Sequence, residues 1–299
     1  MKRAIIAILF LVLCSQSCFA EDTQAPLTPS LTQSYQTDLM TGAALSSVPI
    51  VVPPGRKGIQ PNISLAYSSN NPNGICGVGW RLEFGSIQRN TKRGVPEYDS
   101  TDTFVANVNG ANVELVDIGS GEYRARQEGA FLKFSYDGAY WQVKDKSGMS
   151  YFFGSSANAR QANSSGTFKW YLDKVVDLHG NYMNINYLHD QGQVYLQDVQ
   201  YTGKEGGETP TNTAEFIYET RNDLFSSYRS GFKVITAKRL SAIDLKVSGQ
   251  RARKYVINYS ASPETQRSLL TSVTEYGSDG ATSLPPIRFE YQQGSTIGQ

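Results

Sequence analysis

The sequence has few residues of the types on which disulfides, metal sites and catalytic centres depend. Its 299 residues include 2 histidines and 3 cysteines. Cys14 and Cys18 fall in an amino-terminal segment with the features of a signal peptide, so Cys76 is the thiol that would remain after export. One cysteine forms no internal disulfide, so the exported chain would depend on its hydrophobic core for stability. Neither Gly-x-Ser-x-Gly nor His-Glu-x-x-His occurs, which disfavours an α/β-hydrolase and a zinc protease.

The chain also lacks a strong net charge and a long apolar run. Without Lys2 and Arg3 of the leader, 26 basic residues stand against 27 acidic ones. This balance gives no indication of a nucleic acid or an anionic membrane surface as partner. The apolar run from Ala4 to Cys14 is shorter than the roughly 20 residues of a membrane-spanning helix, so we expect no stable membrane insertion.

The amino terminus predicts export. Two basic residues, the apolar run and the small residues of Cys18-Phe19-Ala20 form a signal peptide over residues 1–20, with cleavage after Ala20. Lipidation of Cys18 or Cys14 is an alternative, although neither cysteine has both flanking residues that a lipoprotein signal requires. Residues 21–41 are rich in Pro, Thr and Ser and are interpreted as an extended leader. The mature chain is expected in the periplasm, on the cell surface or outside the cell.

What the sequence does have is a period-two pattern rich in aromatic residues and glycine, with 18 Tyr, 13 Phe and 27 Gly. Alternating runs separated by Asn-Gly, Asp-Gly or Ser-Gly pairs predict hairpins from Ala43 onward. No run longer than about ten residues has a convincing helical stripe, and even the best candidate, residues 208–231, alternates over residues 213–219. We therefore predict an all-β fold of many short antiparallel strands. Residues 172–203 and 254–280 share an order of strands and turns, which indicates a sheet extended by similar hairpins.

The segment "GICGVGWRLEFGSIQR", residues 74–89, admits two interpretations. A phosphate-binding loop would need a helix after its glycines, so that helix amides point at the anion. The residues that follow alternate like a strand instead. We therefore interpret Gly74, Gly77 and Gly79 as a β-corner that needs positive φ or close backbone approach, with Trp80 packed beneath it.

Other polar residues permit catalytic or metal sites, each of which has a more ordinary explanation. The candidates are Cys76 as nucleophile with His179 or His189 and Asn181, zinc at the histidines with Asp177 and Asp190, and calcium at Asp99 and Asp102. Zinc needs three or four ligands and a calcium loop needs more oxygens at regular spacing. A buried thiol and solvated turns are the favoured interpretations. We expect no catalytic residue, no metal and no cofactor.

Several ordered blocks resemble a known family. They include Gly42, Pro54-Gly55-Arg56, Pro61, Leu65, Tyr67, Gly77, Gly79-Trp80, Ile87, Arg89 and Tyr98-Asp99. Residues 218–245 and 269–291 resemble later blocks of the same family. The chain from Thr41 to Tyr291 is similar to the amino-terminal family of the Salmonella plasmid virulence protein B (SpvB), shared with the B component of insecticidal toxin complexes and related to RHS or YD-repeat proteins.

The resemblance implies a β-domain over residues 42–291, with residues 292–299 as the start of a linker or a truncated continuation. It implies a non-enzymatic scaffold at the amino-terminal end of a toxin-related protein, whose hairpins wind like those of RHS shells. Its partners would be downstream β-repeat or toxin modules, or other toxin-complex subunits. The ADP-ribosyltransferase signature of some members is missing, because no two glutamates lie two residues apart. A strand near Ile287 to Tyr291 would form an open edge, and the chain would tend to associate.

The alternative function is a free-standing surface module that binds glycans as an adhesin does. Trp141 and Trp170 would then be stacking surfaces for the ligand. Arg221 and Arg239 are the charged candidates for a ligand or partner contact, because both lie in the resembling blocks. Glu219, Asp223 and Arg229 could join them, with surface ion pairs on strands as the default interpretation.

Overall fold

Alternating apolar and polar residues produce strands throughout the computed structural model, which describes residues 34–108 and 111–292. The strands in chain order are β1 (Ser34–Thr37), β2 (Ala44–Ile50), β3 (Ile63–Ser68), β4 (Asn73–Gly74), β5 (Gly77–Val78), β6 (Trp80–Arg81), β7 (Ser86–Arg89), β8 (Phe104–Val108), β9 (Ala111–Gly119), β10 (Glu122–Ala125), β11 (Lys133–Tyr136), β12 (Trp141–Lys144), β13 (Ser150–Phe153), β14 (Arg160–Asn163), β15 (Gly166–Val176), β16 (Asn181–Asp190), β17 (Gln193–Lys204), β18 (Asn212–Ser227), β19 (Val234–Val247), β20 (Gln250–Ala261), β21 (Ser268–Tyr276) and β22 (Ile287–Arg288). All pairings are antiparallel, which confirms the predicted all-β fold.

Eight strands close into a barrel. The order β13-β12-β11-β10-β9-β8-β7-β15 returns to its start because β13 also pairs with β15. In a closed barrel every second side chain of each strand points inward, and these side chains fill the interior. Phe104, Trp141 and Trp170 lie inside, together with Ile87 and Phe134. The core of the barrel is therefore aromatic.

The rest of the large sheet grows from β15. Lys174 of this strand pairs with Phe152 of β13 on one side and with Asn184 of β16 on the other. From β16 the sheet continues in chain order to β22. These later strands reach 16 residues in β18, which is longer than the short strands that the sequence predicted. The fold therefore combines a closed barrel with an open sheet.

The described residues contain one short helix, a 3-10 turn at Ala157–Ala159. Within the same ranges, no helix is long and apolar enough to cross a membrane.

A smaller sheet of order β1-β2-β3-β6 precedes the barrel along the chain. Its β1 falls in residues 21–41, the predicted leader, and pairs with β2 through Ser34↔Ser47 to Thr37↔Ala44. After β2 the chain crosses the open sheet, where the Tyr201 hydroxyl donates to the Pro53 carbonyl and the Val51 amide donates to the Tyr255 hydroxyl. These bonds attach the small sheet to the open sheet.

Some predictions lie outside the described residues. They are the signal peptide at residues 1–20, lipidation at Cys14 or Cys18, and most of residues 21–41 and 292–299. The described chain belongs to one compact unit, Gln33–Gln299.

Candidate functional site: the glycine corner and the edge strand

The glycine segment forms a β-corner, as the sequence predicted. Strands β4 and β5 pair through Asn73↔Val78 and Gly74↔Gly77. Gly77 and Gly79 have φ values of +87° and +80°, in a region that residues with a side chain rarely adopt. The corner docks onto the open sheet, where the Leu240 amide donates to the Ile75 carbonyl over 2.8 Å.

Gly77 is required by close approach as well as by its φ. A Cβ atom at this position would lie 2.6 Å from the Ser268 carbonyl oxygen at the start of β21. That oxygen is part of the backbone, so a new side chain could be accommodated only by moving the corner away from the sheet. The glycine therefore sets how closely the corner approaches β21.

Substitution of Gly77 by alanine should destabilise the fold more than the same change at Gly249. Gly249 has a similar φ of +78°, but a Cβ there would meet nothing within 4 Å. We expect Gly249→Ala to cost about 1 kcal/mol for the backbone conformation and Gly77→Ala about 3 kcal/mol for conformation and clash together. Urea unfolding of both variants measures the difference. Equal losses would show that the close approach is not required.

Arg221 attaches the corner to the open sheet from below. Residues 221–224 form a bulge in β18, where the pairing shifts between Thr220↔Lys238 and Phe225↔Thr236. Bulges redirect side chains, and this one places the Arg221 guanidinium under the corner with no exposed surface. Its Nη1 donates to the Gly74 carbonyl over 2.7 Å and its Nη2 to Asn73 Oδ1 over 2.8 Å. The prediction that Arg221 forms a surface ion pair is wrong, because the bulge directs its side chain into the interior.

Asp223 completes the network. Its carboxylate accepts from Arg221 Nε and Nη2, from the Ser268 amide and hydroxyl, and from Asn73 Nδ2. Burial raises the pKa of this carboxyl, but the hydrogen bonds from Arg221, Ser268 and Asn73 outweigh burial and hold the pKa well below its usual range. Asp223 is therefore ionised in the folded protein at neutral pH.

Arg239 reaches the same group from the other side. Its Nη1 donates to the Ser268 hydroxyl over 2.9 Å and its Nε donates to Glu219 over 2.6 Å. Its guanidinium lies 4.6 Å from the ring centroid of Tyr259. The side chain remains 23% exposed, so this pair is a partly solvated surface contact. The two arginines chosen from the sequence thus belong to one network, in which Arg239 bonds to Ser268 and Arg221 is linked to Ser268 through Asp223.

The corner also holds the last described strand. Trp80 follows Gly79, is buried, and donates from Nε1 to the Tyr291 hydroxyl over 2.9 Å. The Tyr291 hydroxyl in turn donates to the Leu270 carbonyl of β21. Phe289 packs edge-on against the Trp80 ring at 4.7 Å. The segment from Ile287 to Tyr291 is therefore fixed between the corner and β21.

Strand β22 is the edge of the large sheet. It pairs with β21 through Ser272↔Arg288 and Val273↔Ile287, and the Phe289 amide donates to the Thr271 carbonyl. Hydrogen bonding alternates along an antiparallel pair, so the amide and carbonyl of Arg288 point away from β21. In the described chain no strand lies on that side. The structure thus has an open edge at the place that the sequence predicted.

The structure places Trp141 and Trp170 together, with ring centroids 6.2 Å apart, inside the barrel. Trp141 has no exposed surface and Trp170 has 1%. Tyr136 stacks on Trp141 at 4.6 Å, and Trp170 Nε1 donates to the Ala139 carbonyl. Both indoles are part of the core packing. Neither ring has an exposed face, and contact of these rings with an external ligand stays a prediction.

The candidate nucleophile is buried. Cys76 has no exposed surface, and burial raises the pKa of its thiol to about 12. The thiol is therefore protonated at neutral pH, whereas the thiolate is the nucleophilic form. His189 Nε2 lies 2.8 Å from the Asn158 carbonyl, and the His179 amide donates to Asp177 in a turn.

The acidic candidates have local partners. Asp102 accepts from Arg89 Nη1 over 2.7 Å and from the Tyr98 amide. Asp99 accepts from the amide and hydroxyl of Thr101. Within the described ranges, no group of three or more histidine, cysteine, aspartate or glutamate side chains is placed to hold a metal ion.

Comparison with known proteins agrees with the resemblance seen in the sequence. Residues 39–206 match the family described as SpvB, Salmonella virulence plasmid 65kDa B protein. The chain belongs to the SpvB family. The mono(ADP-ribosyl)transferase SpvB of Salmonella choleraesuis strain SC-B67 is 27% identical over an alignment of 222 residues that covers 63% of this chain and 37% of that protein. The Salmonella typhimurium protein is 26% identical over 54% of this chain and 32% of its own length. The matches thus span about a third of these relatives.

Solved structures show the same fold. The amino-terminal domain of the effector SpvB from Salmonella typhimurium strain LT2 matches with a TM-score of 0.66 and 20% identity, covering 77% of this chain and 99% of that domain. The TcdB2-TccC3 structure matches with a TM-score of 0.72 and 23% identity, covering 88% of this chain and 17% of that chain. The shared part is therefore an amino-terminal SpvB-type fold that also occurs within a much longer toxin-complex protein.

Sequence reasoning missed three participants of the site. Ser268, Asn73 and Tyr291 bond to the arginine network or to Trp80, but a serine, an asparagine and a tyrosine in a chain of this composition give no distinguishing signal. Asn73 and Tyr291 act through contacts with residues 150 and 211 positions away, and Ser268 through contacts with residues 45 and 29 positions away. The bulge at 221–224 was a possible signal, since "RNDL" interrupts the alternation of β18.

Proposed function

We propose that the chain is an exported, non-enzymatic β-scaffold, the amino-terminal part of a toxin-related protein of the SpvB or insecticidal toxin complex type. The observation that supports the proposal best is the edge strand β22, which is pinned by Trp80 and Tyr291 while the backbone groups of Arg288 point outward. A strand fixed in this way is a template on which a further antiparallel strand can add. The SpvB family membership and the fold shared with TcdB2-TccC3 agree with such a role.

The edge is suited to a neighbour in the same polypeptide or complex more than to free partners. It is two residues long, it includes the charged Arg288, and Pro285 and Pro286 precede it. Short length, charge and proline all limit strand pairing between separate molecules. A module tethered to the chain would meet the edge at a high effective concentration and overcome this limit. The proposed partners are therefore downstream β-repeat or toxin modules, or toxin-complex subunits.

Export belongs to the same proposal. The leader at residues 1–20 would direct the chain to the periplasm, the cell surface or the exterior, where a fold with the single buried thiol Cys76 needs no disulfide. The ADP-ribosyltransferase activity named for the Salmonella relatives would belong to other parts of those longer proteins. This chain would supply the supporting β-structure.

Weak self-association through β22 tests the scaffold role. In Arg288→Pro the outward amide is removed and the bonds to β21 are kept, so we expect the dimer dissociation constant to rise about tenfold. The matched control is Thr37→Pro at the edge of the small sheet. The Asp38 backbone amide donates to the Ala43 carbonyl on the β2 side. Because hydrogen bonding alternates along an antiparallel pair, the amide of Thr37 points away from β2. Sedimentation equilibrium at high protein concentration measures both variants against the unchanged chain.

The control variant shows which of the two sheet edges, β22 or β1, forms the contact between molecules. We expect Thr37→Pro to leave association unchanged. Loss of association in Thr37→Pro alone would assign the contact to β1 and contradict the proposal. A chain that stays strictly monomeric at high concentration would also count against it.

A further inference from the structure

A polar cleft separates the glycine corner from the outer surface of the barrel. It has a volume of about 620 Å³, within the range of roughly 300–1,000 Å³ typical of small-ligand sites. Residues of the corner and of β6 form one wall, and Lys92 and Arg229 belong to the other. No residue of the segment from Ile287 to Tyr291 lines this cleft, although Trp80 contacts both.

The floor of the cleft is a set of side chains on neighbouring barrel strands. Ile87 and Trp170 point into the barrel, so their neighbours Ser86, Gln88 and Lys169 point outward. Lys169 pairs with Gln88 across β15 and β7. Ser86 of β7 pairs with Asn107 of β8, and Asn107 pairs with Asn112 of β9, so the floor extends across these strands. These pairings hold amide and ammonium groups side by side on a rigid sheet.

The cleft has an excess of positive charge. Arg81, Lys169 and Arg229 line it, and in the described chain none of them forms a salt bridge with a carboxylate. Glu83 is the acidic residue among the described lining residues. Two of the cations are positioned by neutral partners, since Arg81 donates to Asn71 and Arg229 donates to Thr91. Their charges are therefore available to an anion.

We propose that this cleft binds an acidic oligosaccharide, with sugar hydroxyl groups on the floor amides and a carboxylate or sulfate group on the cations. An amide side chain can donate and accept at once, which matches a hydroxyl group. Guanidinium and ammonium groups form charge-assisted hydrogen bonds to carboxylate or sulfate oxygens. A single-stranded nucleic acid fits less well, because it requires stacking platforms and Trp80, the aromatic residue lining the cleft, is buried.

Binding of defined probes to the full chain tests the site. The probes are trigalacturonate, a heparin-derived hexasaccharide, maltotriose and a single-stranded DNA oligonucleotide, each titrated by calorimetry. We expect binding of at least one acidic saccharide, and a dissociation constant about tenfold higher in Lys169→Gln and in Arg229→Gln. Gln88→Ala should also weaken binding, because the floor amide is lost. Preference between trigalacturonate and the heparin hexasaccharide distinguishes a carboxylate from a sulfate as the recognised group.

The control variant is Lys144→Gln, which removes an exposed lysine of β12 that does not line the cleft. It should bind as the unchanged chain does, and all variants should keep the unchanged unfolding midpoint. Failure of both acidic saccharides to bind would overturn the proposal. So would equal binding of maltotriose, DNA binding that depends on the same residues, or saccharide binding that survives all three cleft substitutions.

Discussion

Replacement of Arg221 by methionine is expected to lower the free energy of unfolding by about 3–5 kcal/mol, the usual cost of removing one partner of a buried ion pair. The side chain of Arg221 has no exposed surface, and that of Asp223 is 9% exposed. Methionine preserves much of the buried volume but supplies no donor. The Asp223 carboxylate then loses two hydrogen bonds, and the Gly74 carbonyl and the Asn73 side-chain oxygen lose one each. Urea unfolding at pH 7 measures the loss.

Arg239→Met is the matched control. It is the same chemical change on the same network, but the Arg239 side chain is 23% exposed and its partner Glu219 is 45% exposed. Water can replace the lost bonds there, so we expect a loss of about 1 kcal/mol or less. Similar losses in the two variants would contradict the conclusion that burial makes Arg221 the main attachment of the corner.

The pH dependence gives the Arg221 variant a second signature. Arg221 lowers the pKa of Asp223 in the folded state, so its contribution is complete above the ordinary carboxyl pKa of about 3.9. Without the guanidinium the folded-state pKa of Asp223 rises, and the carboxyl becomes protonated sooner as the pH falls. The destabilisation caused by Arg221→Met should therefore be largest at neutral pH and should shrink below about pH 4. A loss that grows with acidity would show that the ion pair is not its cause.

The local parts of the fold could be predicted from the sequence. Turn pairs such as Asp137-Gly138 and Gln191-Gly192 end alternating runs, and the hairpins β11-β12 and β16-β17 form there. The barrel could not be predicted, because its closure depends on β13 pairing with β15 across the β14 excursion. Alternation specifies which side of a strand is apolar. It does not specify which distant strand completes the ring, so barrel, sandwich and winding sheet all fit the sequence.

The candidate site was predicted in part. Gly77 and Gly79 were enough to predict the corner, because a positive φ and a following strand depend on neighbouring residues in the chain. Arg221 and Arg239 were selected by their position in the resembling blocks, and the structure places both in one network, with Arg239 bonded to Ser268 and Arg221 linked to it through Asp223. The interruption of the alternation by "RNDL" was a signal for the bulge, but it did not give the direction of the Arg221 side chain, which regular alternation would leave on the surface. The bulge in β18 changes its direction, and the register shift that defines the bulge exists only in the paired sheet.

Trp141→Ala is expected to destabilise the chain by about 3–5 kcal/mol, the range for removal of a fully buried aromatic side chain. Trp141 contacts Phe104 and Tyr123, each at 4.9 Å between ring centroids, in addition to Tyr136 and Trp170. Trp141→Phe should cost much less, about 1–2 kcal/mol, because it keeps a ring in the core. It also removes an indole Nε1 that has no hydrogen-bond partner among the described residues.

Trp170→Phe measures the contribution of the indole hydrogen bond separately from that of ring packing. Its Nε1 donates to the Ala139 carbonyl over 2.9 Å, so loss of the indole should cost about 1 kcal/mol more than in Trp141→Phe. If the two indoles were glycan-stacking surfaces, alanine at either site would abolish saccharide binding and leave the unfolding midpoint unchanged. The closed barrel predicts the opposite result, because an interior ring cannot be removed without loss of folding free energy. Thermal unfolding and saccharide titration of the same variants therefore distinguish an aromatic core from an aromatic binding surface.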